Sequence, residues 1–289
     1  MKLYLIDGTY ELFRSYFGVP PRQAPDGMEV GATAGIVGST LALLTEPGLT
    51  HVAAAFDSVI ESFRNEIYPP YKDGTGIEQA LLDQFPLAER AMRAIGVTVW
   101  SMYDYEADDA LATGARRWVD DVDEVVVMTP DKDLSQIYDD PRIRGYDRRK
   151  GSFIDRDAVV EKFGVEPASI PDWLGLVGDA ADALPGLPGW GAKSSATILA
   201  RYGHLEHIPL DASLWDVKVR GADKLAATLV EHMGKALLYR YLALLRTDVP
   251  LPDSLGDLEW KGVPRQRYES LCDELGFGGL RERPHRWAD

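Results

Sequence analysis

Cysteine is almost missing. A single residue, Cys272, stands in 289, which excludes an internal disulfide and a cysteine-rich zinc site. It reads as a small apolar residue on a C-terminal helix. Positive charge is in deficit: 31 Lys and Arg face 46 Asp and Glu, a net charge of −15. That balance argues against a general nucleic-acid coat, which would be basic. It leaves room for an enzyme that gathers carboxylates around cations. Long apolar runs are also lacking. The longest uncharged stretch, residues 30–45, carries Gly, Thr and Ser and falls short of the ~20 apolar residues that span a bilayer. The apolar start at residues 3–6 is cut by Asp7, too short for a signal peptide. No membrane partner and a reducing intracellular compartment are the expectations. Solenoid repeats and low-complexity tracts are absent.

What is present is ordinary globular material, 45% hydrophobic and 27% charged, long enough for one large domain or two small ones. Four short apolar runs, at residues 3–6, 51–56, 97–100 and 124–129, read as strands. Leu81, Phe85, Ala88, Met92 and Ile95 recur on one face of a 3.6-period helix. Strands alternating with helices imply βαβ units and a mainly parallel sheet. Right-handed crossovers would place the carboxyl ends of the strands on one edge. From about residue 163 helices dominate, expected at 170–177, 193–202, 221–233 and 235–245. A turn is expected at 178–182 and a Gly/Pro hairpin at 184–190.

Carboxylates follow the strand ends. Asp7, Asp57 and Asp131 end three of the apolar runs, and Asp133 lies two residues on. Open α/β sheets bind ligands at that edge. Glu106, Asp108 and Asp109 open a helix, with Glu106 and Asp109 about 60° apart on one face. Asp179 and Asp182 repeat the i, i+3 spacing. Singly, each acid also fits a turn, a cap or the helix dipole. Together they form a set of nine that would repel unless neutralised. Oxygen-only ligation suits Mg²⁺ or Mn²⁺ rather than zinc. Paired hard cations serve phosphoryl transfer and phosphodiester hydrolysis.

The ordered motifs resemble the 5′→3′ exonuclease and flap-endonuclease family. They are Leu5-Ile6-Asp7-Gly8, Ala55-Phe56-Asp57, Phe63-Arg64 through Tyr71-Lys72, Glu106-Ala107-Asp108-Asp109 and Thr129-Pro130-Asp131-Lys132-Asp133-Leu134. Gly178-Asp179-Ala180-Ala181-Asp182, the loop from Leu184 to Lys193, and Thr247-Asp248-Val249-Pro250-Leu251-Pro252 continue the likeness. It spans about residues 2–260. The amino-terminal nuclease domain of bacterial DNA polymerases is the nearest pattern, and without a polymerase domain the chain reads as a stand-alone nuclease.

The resemblance implies an α/β fold: a PIN-like, mainly parallel sheet flanked by helices over residues 1–165, with an arch segment at about 71–95. A helical DNA-binding region would follow at 166–289, with a helix-three-turn-helix motif at about 184–203. It further implies two or three divalent ions on the nine carboxylates, with Asp131 and Asp133 directly catalytic. Lys72 falls on the arch lysine that stabilises the developing phosphorane. Arg14 is expected to hold a phosphate, Arg64 to contact DNA, and Tyr71 to stack a terminal base. Departures are Thr75 where the family has an arginine, a shortened arch with Gly74 and Gly76, Pro130 for a glycine, and Ala183 for an asparagine. The missing arginine bears on the rate and on the preference for a 5′ end.

Gly186, Gly189, Gly191, Lys193 and Ser194 form a glycine-rich loop. It fails as a Walker A motif because Ala192 separates Gly191 from Lys193, and as a dinucleotide fingerprint because Ser194 replaces the third glycine. Its backbone N–H groups at a helix start suit DNA phosphates. The resemblance adds a K⁺ ion on the loop carbonyls. Arg142, Arg144, Arg148, Arg149 and Lys150 could track a duplex or simply form a solvated face. The expected function is a metal-dependent, structure-selective nuclease acting on DNA with a 5′ single-stranded end or flap, in replication and repair, as a monomer. An RNA primer is a possible substrate. The competing readings are a non-catalytic DNA-binding protein that kept the fold and a PIN-type ribonuclease.

Overall fold

The computed structural model describes residues 1–288. In chain order the elements are β1 (Lys2–Asp7), α1 (Gly8–Gly18), α2 (Gly31–Leu43), β2 (Leu49–Asp57), α3 (Phe63–Ile67), α4 (Gln79–Leu82), α5 (Phe85–Ala94), β3 (Thr98–Met102) and α6 (Ala107–Trp118). Then come β4 (Glu124–Met128), β5 (Ile143–Asp147), β6 (Ser152–Ile154), α7 (Arg156–Phe163), α8 (Ile170–Val177), α9 (Ala192–Tyr202), α10 (Ala222–Ala243) and α11 (Arg265–Leu275). The chain forms two compact units. One comprises Met1–Ser62, Gly74–Thr129 and the residues from Thr247 on, and the other Phe63–Asp73 and Pro130–Arg246.

The first unit is a parallel α/β layer. Its strands lie in the order β3-β2-β1-β4, all parallel. The apolar runs Leu3–Ile6 and Val52–Phe56 are buried, as expected of strands covered on both faces. β1 is central, and the connection reverses direction across it, which makes the carboxyl ends of β1 and β4 a topological switch point. Register sets what stands there: Asp7 lies opposite Ala55, Asp57 opposite Met102, and Ile6 opposite Met128.

The second unit is mostly helical. The Asp155 side chain accepts the Ala158 N–H at 2.9 Å to cap α7, and Gly164 ends that helix in the left-handed region. α8 packs on α10, and Leu174 and Leu176 of the one and Leu229, Ala236 and Leu242 of the other are buried. A Cβ on Gly175 would lie 2.8 Å from the Ala236 carbonyl oxygen, so that packing requires glycine.

Several expectations change. The apolar face from Leu81 to Ile95 is entirely buried, but it belongs to two helices, α4 and α5. Gln84 separates them, and its side-chain oxygen accepts from the Thr33 backbone N–H at 3.0 Å. The two helices expected at 221–233 and 235–245 both fall on α10, which is kinked between them at the non-helical His232 (φ −119°, ψ 18°). The Gly/Pro-rich stretch 184–190 is a tight loop between α8 and α9, as expected. The basic run at 142–150 contains a strand, β5, which pairs antiparallel with β6 just beyond it.

Candidate active site

The first unit places acids where its strands end. Asp7 finishes β1 and starts α1, its Oδ1 accepting the Tyr10 N–H at 2.8 Å. Its Oδ2 accepts the Thr129 hydroxyl at 2.8 Å, a residue one past β4. Asp57 Oδ1 accepts the Ala107 N–H at 2.7 Å, at the start of α6. Glu106 and Asp109 form a capping box on α6, with the Asp109 carboxylate accepting the Glu106 N–H at 3.1 Å. Ser62 donates to Glu106 at 2.9 Å. Asp7, Glu106 and Asp109 are buried, while Asp57 and Asp108 are half-buried. Asp7, Glu106 and Asp109 thus serve as helix caps rather than only as turn formers or dipole partners, and the caps fix these carboxylates in place at the sheet edge.

The second unit gathers three acids tightly. One carboxylate oxygen from each of Asp133, Asp179 and Asp182 lies within 4.8 Å of the others, the one such triple among the described residues. All three are buried. Asp133 opens a short 3₁₀ turn (Asp133–Ile137), and its N–H donates to Asp131 Oδ1 at 2.8 Å. Asp179 and Asp182 occupy the loop after α8. Asp179 and Leu184 exchange two backbone hydrogen bonds of 2.8 Å, and Asp179 Oδ1 accepts the Ala181 N–H at 3.1 Å. Gly178 (φ +86°) and Gly186 (φ +68°) close the loop. A Cβ on Gly178 would lie 2.5 Å from the Leu184 carbonyl oxygen, so the glycines set the spacing of the two acids.

The electrostatics of this triple are strained. Burial, and then the charges of Asp131, Asp182 and Asp179, push the Asp133 carboxyl well above the usual carboxylate range. The buried Asp133 Oδ1 has no hydrogen-bond partner. Two lysines approach. Lys72 Nζ lies 3.1 Å from Asp182 Oδ1. Lys132 Nζ pairs with Asp179 Oδ2 and stands 3.6 Å from Asp133 Oδ1. Three close carboxylates with one buried oxygen unsatisfied fit a hard divalent cation. Lys132 escaped the sequence reading, although a lysine between two clustered acids was a visible signal.

Other expected contacts fare differently. Arg64 is corrected: it is 1% exposed, and its guanidinium donates to the carbonyls of Leu242 at 2.7 Å and Leu244 at 3.1 Å. It is a buried internal brace between the start of α3 and the backbone at the end of α10. Tyr71 is corrected too. Its ring is 3% exposed and lies under Lys72, 5.6 Å from Nζ, so no face is presented to a base. Arg14 pairs with the buried Glu11 on the same helix. Gly189, Gly191, Lys193 and Ser194 line a cleft of about 500 Å³ together with Lys218 and Arg220. Ser194 Oγ accepts the Gly191 N–H at 3.2 Å and donates to the Gly191 carbonyl at 3.0 Å, so its hydroxyl shapes the turn. In the basic run Arg142 is bidentate on Asp140 (3.0 and 2.7 Å), and Lys150 lies 3.5 Å from Asp147. Part of that charge is thus spent within the hairpin.

A mainly parallel sheet with acids at its carboxyl edge, followed by a helical unit with an acidic loop, places the chain in the class of PIN-like folds. Residues 2–164 match the family described as 5′-3′ exonuclease, N-terminal resolvase-like domain, and residues 165–266 match 5′-3′ exonuclease, C-terminal SAM fold. The chain belongs to the 5′-3′ exonuclease family. It is 34% identical over 287 residues to DNA polymerase I of Bacillus caldotenax, covering 98% of this chain and 32% of that protein. DNA polymerase I of Mycobacterium leprae is likewise 34% identical, over 97% of this chain and 31% of that protein. The chain thus spans about a third of the length of these relatives. A structure of T5 5′-exonuclease with bound zinc superposes with a TM-score of 0.68 at 20% identity, covering 95% of this chain and 100% of that one. The catalytic core of Rad2 in complex with DNA substrate gives 0.62 at 14% identity, over 95% and 88%. These likenesses establish the fold. Among the described residues, no helix is long and apolar enough to cross a membrane.

Proposed function

We propose that this chain is a divalent-metal-dependent 5′ nuclease that hydrolyses DNA phosphodiesters near a 5′ single-stranded end or flap. The observation that carries the reading is the buried triple Asp133, Asp179 and Asp182 with Lys72 at its flank. In this reading the nine carboxylates are the metal ligands. A bound hard cation would supply an activated water and charge neutralisation at the phosphate. The chain's own residues do the rest. Asp131 holds the Asp133 backbone, fixing its carboxylate, and Thr129 orients Asp7. Lys72 offers an ammonium to the charge that develops on the phosphoryl oxygens. The loop from Gly186 to Ser194 receives duplex phosphates through backbone N–H groups, with Lys193 as a local cation.

Mg²⁺ or Mn²⁺ is the proposed ion on the acids, and K⁺ on the loop carbonyls. Residues 1–165, completed by Asp179 and Asp182 from the loop after α8, would carry the chemistry, and the remainder of residues 166–289 the grip on DNA. A non-catalytic binder is disfavoured because three mutually repelling buried acids cost stability and add nothing to phosphate affinity. The test is release of a label from a 5′-flap duplex, from single-stranded DNA and from RNA in Mn²⁺, using wild type, Asp131→Ala and Asp179→Ala. Flap cleavage abolished by both substitutions supports the reading. Cleavage untouched by both overturns it.

A further inference from the structure

Lys132 sits in sequence between Asp131 and Asp133, and in space on two members of the acid triple. Its Nζ pairs with Asp179 Oδ2 and lies 3.6 Å from Asp133 Oδ1. Asp182 carries the other ammonium, Lys72, at 3.1 Å. The carboxylates are almost entirely covered, while the Lys132 side chain keeps 29% of its surface in solvent. The acids are therefore fixed and the ammonium is able to move.

We propose that Lys132 is a resident counter-ion of the acid triple, holding Asp133 and Asp179 together when no metal is bound and leaving when a divalent cation arrives. The inference rests on the metal-dependent reading above. Three carboxylates with oxygens this close repel one another strongly in a buried setting, and a metal-free chain still has to fold. A single ammonium bridging two of them meets that need. The same ammonium cannot stay once the ion is seated. A small divalent cation takes carboxylate oxygens at about 2.0–2.6 Å, and a positive group within hydrogen-bond distance of those oxygens would be driven off. Lysine suits exchange better than arginine would: it is a compact charge on a flexible four-carbon stem, with no planar fork to hold both oxygens of a carboxylate. The exposed part of its side chain opens a path to water without any change in the backbone.

Two consequences follow. The protein's affinity for metal is lower than its carboxylates alone would give, because each binding event displaces Lys132. The metal-free fold depends on Lys132, and the metal-loaded fold does not.

The test compares wild type, Lys132→Met and Lys132→Arg. Mn²⁺ affinity is read by EPR of the unbound ion, and thermal midpoints are measured in EDTA and in excess Mg²⁺. In parallel, wild-type lysines are reductively methylated with a ¹³C label, and the Lys132 resonance, assigned by its loss in Lys132→Arg, is followed through a Mg²⁺ titration. The proposal expects Lys132→Met to bind Mn²⁺ on the order of tenfold more tightly and to melt lower than wild type in EDTA, with the gap closing in Mg²⁺. Lys132→Arg should keep the wild-type midpoint in EDTA. The Lys132 resonance should shift in step with metal saturation. Equal or weaker Mn²⁺ binding in Lys132→Met, or a resonance unmoved at saturating Mg²⁺, overturns the proposal. The NMR arm needs only wild type and, for the assignment, Lys132→Arg, so it decides even if Lys132→Met does not fold in EDTA. Wild type that binds no Mn²⁺ at all would instead remove the functional reading beneath it.

Discussion

Lys72 and Asp182 form an ion pair, Nζ to Oδ1 at 3.1 Å, on the flank of a buried acid triple. The lysine is held from behind as well: its backbone carbonyl accepts a hydrogen bond from the Asn65 side chain at 3.0 Å. Such an ammonium is pre-positioned, and if it stabilises charge that develops during hydrolysis, its loss acts on the rate more than on binding. Lys72→Ala should lower the single-turnover rate of 5′-label release about 10²–10³-fold, with DNA affinity changed by less than threefold. A rate within a factor of three of wild type would remove Lys72 from the chemistry.

Arg64 is a buried cation whose nitrogens serve the carbonyls that end α10. Replacing it with Leu strands those carbonyls and should destabilise the protein by about 3 kcal/mol, read from the urea midpoint at constant m-value. The salt dependence of DNA binding should keep its slope, because no phosphate contact is lost. A shallower slope with unchanged stability would restore the DNA-contact role.

Ala183, next to Asp182, has φ +57°, the one positive value on a non-glycine among the described residues. An alanine side chain is strained there. Ala183→Gly and Ala183→Asn should each raise stability by up to about 1 kcal/mol without loss of Mn²⁺ binding. Thermal melts decide this, and a lowered midpoint in both variants contradicts it.

His51, on β2, is buried, and burial lowers its pKa below the ordinary value of 6.5. Its Nδ1 lies 2.9 Å from the Thr50 hydroxyl. A depressed histidine favours the folded state above the unfolded pKa and loses that stability as pH falls from 6.5 through the folded value. The wild-type urea midpoint should therefore drop across that window, and His51→Gln should flatten this part of the profile. An identical profile in the variant would show that other groups set it.

Much of this was legible in the sequence. Short apolar runs ending in Asp7 and Asp57 announced parallel strands, because a strand buried on both faces needs an unbroken apolar stretch and its polar residue marks the edge. The order of motifs identified the family. Local spacing could not say that Arg64 turns inward, since its partners Leu242 and Leu244 are far away in sequence. It missed β5 and β6 because a basic run masks them: Arg144, on β5, lies over the Phe153 ring at 4.2 Å, while Arg142 and Lys150, which flank β5, are met by Asp140 and Asp147. It saw nine acids but not their ranking: Asp109 is a helix cap as well as an acid, whereas Asp133, Asp179 and Asp182 converge only because Gly178 and Gly186 tighten a loop.

The central claim is that buried acids here exist to hold hard cations. Anomalous scattering from crystals soaked in Mn²⁺ tests it directly. The account predicts a peak within bonding distance of Asp133, Asp179 and Asp182, with the Lys132 ammonium displaced. Saturating Mn²⁺ with no peak on these acids, and Lys72 and Lys132 still paired to them, would contradict it.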